Sequence, residues 1–151
     1  MFHEEELKEA IEKFDNSSID CKAILYVCLE GGAKGRRFRT GMRTNDFAIM
    51  TVHDDYLCFY VLSKFTFEFL ITRRIVLPYS SITTLKAGAF LKNTKILRIR
   101  FTQDKKNRRL KVVISTNSKE SETQRENFKI LMDCLKAKIP EKMTGSQTAA
   151  Q

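Results

Sequence analysis

Histidine is scarce in this chain, with two in 151 residues. His3 stands in the leader and His53 at a short polar break, and neither has a Ser or Cys partner nearby in a suggestive motif. Nucleophilic catalysis of the Ser-His or Cys-His kind therefore has no local sequence support. No apolar run reaches the roughly 20 residues that a membrane-spanning helix requires. Cys21, Cys28, Cys58 and Cys134 are widely spaced and form no C-x-x-C pair, so they read as buried reduced thiols rather than as disulfides or metal ligands. Gly31-Gly32-Ala33-Lys34-Gly35 lacks the Lys-Ser/Thr ending of a phosphate-binding P-loop. Asp54-Asp55 reads as a turn before it reads as a metal site. Nothing calls for a cofactor, a metal or an enzymatic activity. The early Glu4-Glu5-Glu6 has the wrong sign for a secretory signal and no apolar core follows it. The expectation is a cytoplasmic protein that meets a membrane, if at all, only at its periphery.

Charge is abundant. Lysine and arginine number 27 against 18 acids, a net of +9. Residues 1–15 carry −4, which leaves +13 for the remainder. A basic body suits an anionic partner, although the same charge also serves solubility.

The apolar pattern has two periods. Leu7, Ala10, Ile11 and Phe14 make a helical stripe, ended by Asp15-Asn16-Ser17-Ser18. From residue 22 to 115 the pattern is that of strands. Residues 23–29 form one β-rich run, and two more flank His53-Asp54-Asp55 as a hairpin. Phe65, Phe67, Phe69 and Ile71 alternate with polar neighbours and with Leu70, and short strands follow near residues 75–77 and 82–87. Leu97, Ile99 and Phe101 point away from Arg98 and Arg100, and Leu110, Val112 and Ile114 alternate with Arg109, Lys111, Val113 and Ser115 across an Asp104-Lys105-Lys106-Asn107 loop. A last helix over 121–138 is capped by Ser121, favoured by Glu122, striped by Phe128, Leu131, Met132, Leu135 and Ile139, and stopped by Pro140. The chain divides into an acidic helix (1–18), one β-rich domain (19–139) and a disordered tail (140–151).

Some seven antiparallel strands must curl into a barrel or stack as a sandwich, with the final helix closing an open side. Two stretches give this α+β, mainly β architecture a family likeness. Asp46-Phe47-Ala48-Ile49-Met50-Thr51-Val52 with Asp55-Tyr56-Leu57-Cys58-Phe59-Tyr60 resembles the first hairpin of bacterial PH-like and GRAM-like domains. Arg74-Ile75-Val76-Leu77-Pro78-Tyr79-Ser80-Ser81-Ile82-Thr83-Thr84-Leu85 resembles their bent I-x-L/I-P strand. The likeness covers residues 22–138. It implies a pleckstrin-homology (PH) superfold and a non-catalytic module, a fold that hosts lipid, protein and self-association partners alike.

Two basic clusters are candidate anion-binding sites. Lys34, Arg36, Arg37, Arg39 and Arg43 crowd a glycine-rich segment, residues 31–43, that contains no acid. Arginine forks and exposed backbone N–H groups suit phosphate. In lipid-binding PH domains the first inter-strand loop carries a K-x(n)-K/R-x-R pattern, and Arg37-Phe38-Arg39 is similar to its end, with Lys22 or Lys34 upstream. Lys105, Lys106, Arg108 and Arg109 form the second cluster, which Arg98 and Arg100 extend. Both clusters have a plainer reading as solvated loops. The expected partner is an anionic lipid surface, an acidic protein or a phosphorylated ligand. A homo-oligomeric scaffold is an alternative, and nucleic acid ranks lower because no RNP, zinc-finger or helix-turn-helix signature is present. The acidic leader is expected to lie over part of the basic surface, or else to pack its stripe on a second copy.

Overall fold

The computed structural model describes residues 3–31, 46–63, 70–91, 93–116 and 123–144. Seven antiparallel strands carry the fold: β1 (Ala23–Gly31), β2 (Asp46–Val52), β3 (Tyr56–Leu62), β4 (Ile71–Pro78), β5 (Ile82–Leu91), β6 (Thr94–Gln103) and β7 (Lys106–Ser115). Helix α1 (Glu4–Asp15) precedes them and α2 (Gln124–Lys138) follows. The spatial order is β4-β3-β2-β1-β7-β6-β5, extended by a two-residue β8 (Met143–Thr144) parallel to β5. The alternation seen in the sequence sets the register. Leu97, Ile99 and Phe101 are buried and lie opposite Val112, Leu110 and Arg108.

The sheet bends around one core. Val61, Phe59 and Leu57 of β3 share an apolar cluster with Leu97, Ile99 and Phe101 of β6. Four strand spacings separate β3 from β6 in the sheet, which would hold them roughly 19 Å apart if it were flat. Leu131, Cys134, Leu135 and Ile139 join the same cluster from α2, which closes the open side of the curl. The sheet is not closed among the described residues: β4 and β5 are linked only by the short helical turn Tyr79–Ser81.

A second apolar cluster lies on the outer face of β1–β4. Leu7 and Ile11 of α1 are fully buried against Ile24, Ile49, Cys58, Tyr60, Leu62 and Ile71. Glu4, Glu5 and Glu6 occupy the first turn, where the helix dipole favours them. The His3 backbone N–H donates to the Glu6 carboxylate at 3.0 Å. Asn16 ends the helix in the left-handed region (φ 63°), its N–H donating to the Glu12 carbonyl at 2.7 Å. The stripe is thus consumed within the chain. Among the described residues, α1's acids turn to their own helix, its C-terminal linker, α2 and Arg74, and none pairs with Lys105, Lys106, Arg108 or Arg109.

Helix α2 begins at Gln124 after Thr123, later than the expected start, and Ser121 and Glu122 fall outside the described residues. Its first turn has a task that apolar patterning does not reveal. Among the described residues, strand β7 pairs with β1 over Cys28–Gly31 and stops short of Ile24 and Tyr26. Gln124 accepts the Tyr26 N–H at 3.1 Å and donates to the Tyr26 carbonyl at 2.6 Å, and Asn127 donates to the Ile24 carbonyl at 2.8 Å. Both side chains are buried, so these bonds replace the missing ladder. The tail expected to be disordered from residue 140 is structured at its beginning, because Pro140–Lys142 and β8 pack back on β5. Residues 145–151 lie outside the described set.

Candidate anion-binding face

The outer face of β5–β6–β7 is cationic. Period-two geometry sends Arg98 and Arg100 outward from β6, and both are exposed. Strand pairing sets Lys86 opposite Arg98 and Arg98 opposite Lys111, so three cations form one row across three strands. The next row places Arg100 opposite Arg109. One acid meets these rows among the described residues: Glu30 pairs with Lys111 at 3.0 Å, opposite it on β1. Like charges set about 5 Å apart repel by about 0.8 kcal/mol in bulk water, less as the side chains splay. Directly opposed like charges weaken a sheet. Retaining Arg100 beside Arg109 therefore breaks a local rule of strand pairing, and such breaks concentrate where a surface has another use.

The β6–β7 hairpin extends the face. Its turn is two residues, Asp104 and Lys105, with φ of 53° and 64°. Positive φ at both positions is the type I′ geometry whose twist matches the strands, usually supplied by Asn-Gly. Lys105 accepts this conformation without a glycine's freedom and stands exposed at the tip. Lys106 and Asn107 belong to the strand, so the loop is shorter than the expected four residues.

The second predicted cluster splits between two faces. Arg109 joins the outer rows. Arg108 lies opposite Phe101, half-buried, and its Nε is shielded from solvent without a hydrogen-bond partner among the described residues. Lys34, Arg36, Arg37, Arg39 and Arg43 lie outside the described residues, as do Phe65, Phe67 and Phe69. The strands that flank the first cluster are informative. Gly31 is opposite Leu110, and Asp46 is opposite Leu29. The chain therefore leaves and re-enters the sheet at the end from which the β6–β7 hairpin projects. Lys86 and Lys111 are the members that the sequence reading left out of the candidate surface.

The polar groups elsewhere have structural tasks. Asp54 pairs with Lys22 at 3.1 Å and lies 3.9 Å from Lys138, and the Lys22 ammonium holds its carboxyl below the ordinary range. No group of three or more potential metal-ligating side chains occurs among the described residues. His53 shares a 2.8 Å hydrogen bond with the Thr51 hydroxyl, and burial lowers its pKa. The four thiols are unpaired, and burial raises Cys28 to about 11, away from the thiolate range.

No family model matches the chain, and no curated protein matches it. Among solved structures, the hSac2 domain from human phosphoinositide phosphatase Sac2 is similar in fold, with a TM-score of 0.50 over 78% of this chain and 72% of that one, at 6% identity. The chain has a PH-like fold: a bent antiparallel sheet with a C-terminal helix across its open side. Among the described residues no helix is long and apolar enough to cross a membrane.

Proposed function

We propose that this chain is a non-catalytic PH-like binding module that contacts an anionic lipid surface through the outer face of β5–β6–β7 and the adjoining hairpin. The two cross-strand rows, Lys86–Arg98–Lys111 and Arg100–Arg109, carry the reading. A broad sheet face with five cations presents charge to an extended anionic surface. The sequence carries no RNP, zinc-finger or helix-turn-helix signature that would favour nucleic acid instead. The solved neighbour comes from a protein that acts on phosphoinositides, which is compatible with a lipid partner without assigning one. Within the PH-like class, the motifs at residues 46–60 and 74–85 favour a GRAM-like relative. Four unpaired thiols favour a reducing, cytoplasmic setting, with attachment at the membrane periphery.

Sedimentation with vesicles tests the proposal. The protein should pellet with vesicles holding about 30% anionic lipid and stay in solution with neutral ones. Added salt should release it, because the contacts are exposed and screened. The triple variant Arg98→Ala, Arg100→Ala, Arg109→Ala should bind about 100-fold more weakly, at about 1 kcal/mol for each cation removed near an anionic surface. Equal pelleting with neutral vesicles, or undiminished binding by the triple variant, would overturn the reading. An oligomer by light scattering without vesicle binding would favour the scaffold alternative, and a gel shift with a steep salt slope would favour nucleic acid.

A further inference from the structure

The other half of the sheet bears a concavity of opposite character. A cleft of about 480 Å³ lies between residues 15–20, which follow α1, and the outer side of β3 and β4. That volume suits a small ligand. Its chemistry comes from Asp15, Asp20, His53, Tyr56, Tyr60 and Arg74. Asp15 accepts the Tyr60 hydroxyl at 2.8 Å and the Arg74 guanidinium at 3.2 Å, so Arg74, the one Lys or Arg lining the cleft among the described residues, is already matched. Asp20 is exposed and forms no ion pair among the described residues. The His53 and Tyr56 rings stack at 4.2 Å and 14°, and the imidazole hydrogen-bonds to the Asp20 backbone. Burial holds the imidazole toward its neutral form, so it adds little positive charge near pH 7. Among the described residues, two carboxylates against one guanidinium leave the cleft lining net negative in a chain of net charge +9.

A carboxylate without an ion pair among the described residues, lining the same cleft as a stacked aromatic pair, is the chemistry that recognises a cation. The carboxylate supplies charge-assisted hydrogen bonds and the ring faces supply cation–π attraction. The anions suited to the β5–β7 face would be repelled here. We propose that this cleft binds a small organic cation, an alkylammonium or guanidinium group, held between Asp20 and the Tyr56 ring. The group can belong to a free amine or to a lysine or arginine side chain of another protein.

The test is a titration of the full chain with arginine methyl ester and with choline, followed by backbone amide NMR shifts. Saturable shifts at Asp20, His53 and Tyr56 are expected by about 10 mM, the range of weak single-site binding. Asp20→Asn should weaken binding about tenfold, the scale of one charge-assisted contact. Tyr56→Leu should weaken it about threefold through the lost ring face, and glutamate should produce no shifts. Asp20 is exposed, so its variant is expected to fold, and an unchanged melting temperature would verify this. A short arginine-containing peptide that binds more tightly than the free ester would identify a protein source, whereas equal binding would identify a free amine. Absence of shifts with both cations, or wild-type binding by both variants, would overturn the proposal. The result is independent of vesicle binding, because the cleft and the cationic face share no residue.

Discussion

The two outer faces of this sheet are built on the same alternation and end differently. On β1–β4 the outward positions include Ile24, Ile49, Cys58, Tyr60, Leu62 and Ile71, and α1 packs over this cluster. On β5–β7 the outward positions include Lys86, Arg98, Arg100, Arg109 and Lys111, and among the described residues no helix covers them. An apolar outer face must be buried by something, and Leu7 and Ile11 supply it within the chain. A cationic face needs no cover in water, so it remains available to a partner. The contrast makes α1 a structural element and leaves the β5–β7 face, proposed above as the contact surface, uncovered among the described residues.

The largest test breaks the covered half. Leu7→Ala together with Ile11→Ala should lower unfolding stability by about 5 kcal/mol, because two fully buried side chains leave cavities beneath α1. Chemical denaturation would measure it. A loss under about 1 kcal/mol would show that α1 is dispensable and that the covered face tolerates water.

Asn127→Ala should cost about 2 kcal/mol, since it leaves the Ile24 carbonyl unsatisfied and removes a bond to Glu4. A near-neutral result would mean that water replaces the amide and that α2 does not act as a surrogate strand for β1.

Arg100→Glu sharpens the contrast in both directions at once. It turns a repulsive pair with Arg109 into an attractive one, worth about 0.5 kcal/mol of added stability by thermal melting. The same change should weaken binding to anionic vesicles about 30-fold, from a two-unit loss of charge. Stability and binding moving together would contradict the assignment of this face to interaction.

The smallest effect belongs to His53. Burial lowers its folded-state pKa below the ordinary 6.5, so the unfolded chain takes up this proton first. The stability it contributes is complete above the unfolded value and is lost as pH falls through the folded one. His53→Gln should flatten the decline in melting temperature as pH falls below the ordinary imidazole value of about 6.5. A decline as steep as that of the wild type would assign the pH dependence to other groups.

Much of the fold was legible because alternation writes burial into the chain. Leu97, Ile99 and Phe101 against Arg98 and Arg100 gave the inner and outer faces of β6, and Leu7 with Ile11 gave the docking stripe of α1. The candidate surface was legible only in part. Lys105, Lys106, Arg108 and Arg109 are adjacent in sequence and invited grouping, yet alternation sends Arg109 outward and leaves Arg108 half-buried opposite Phe101. Lys86 and Lys111 are distant in sequence and gave no such signal, although strand pairing sets both beside Arg98. Gln124 and Asn127 looked like ordinary polar helix residues, because nothing local shows that the pairing of β7 with β1 stops short of Ile24.

The sequence alone determined which residues avoid water, and with that the strands, both helices and the excess of positive charge. These are local properties, set by side-chain chemistry at a period of two or near 3.6. Tertiary structure decided which cations stand together, which face α1 covers, and which buried amides complete the edge of β1. Those outcomes depend on pairing register and on contacts between residues up to 123 positions apart, such as Glu4 with Asn127. Such contacts form only when the whole sheet has bent around its core, so no short window of sequence contains them.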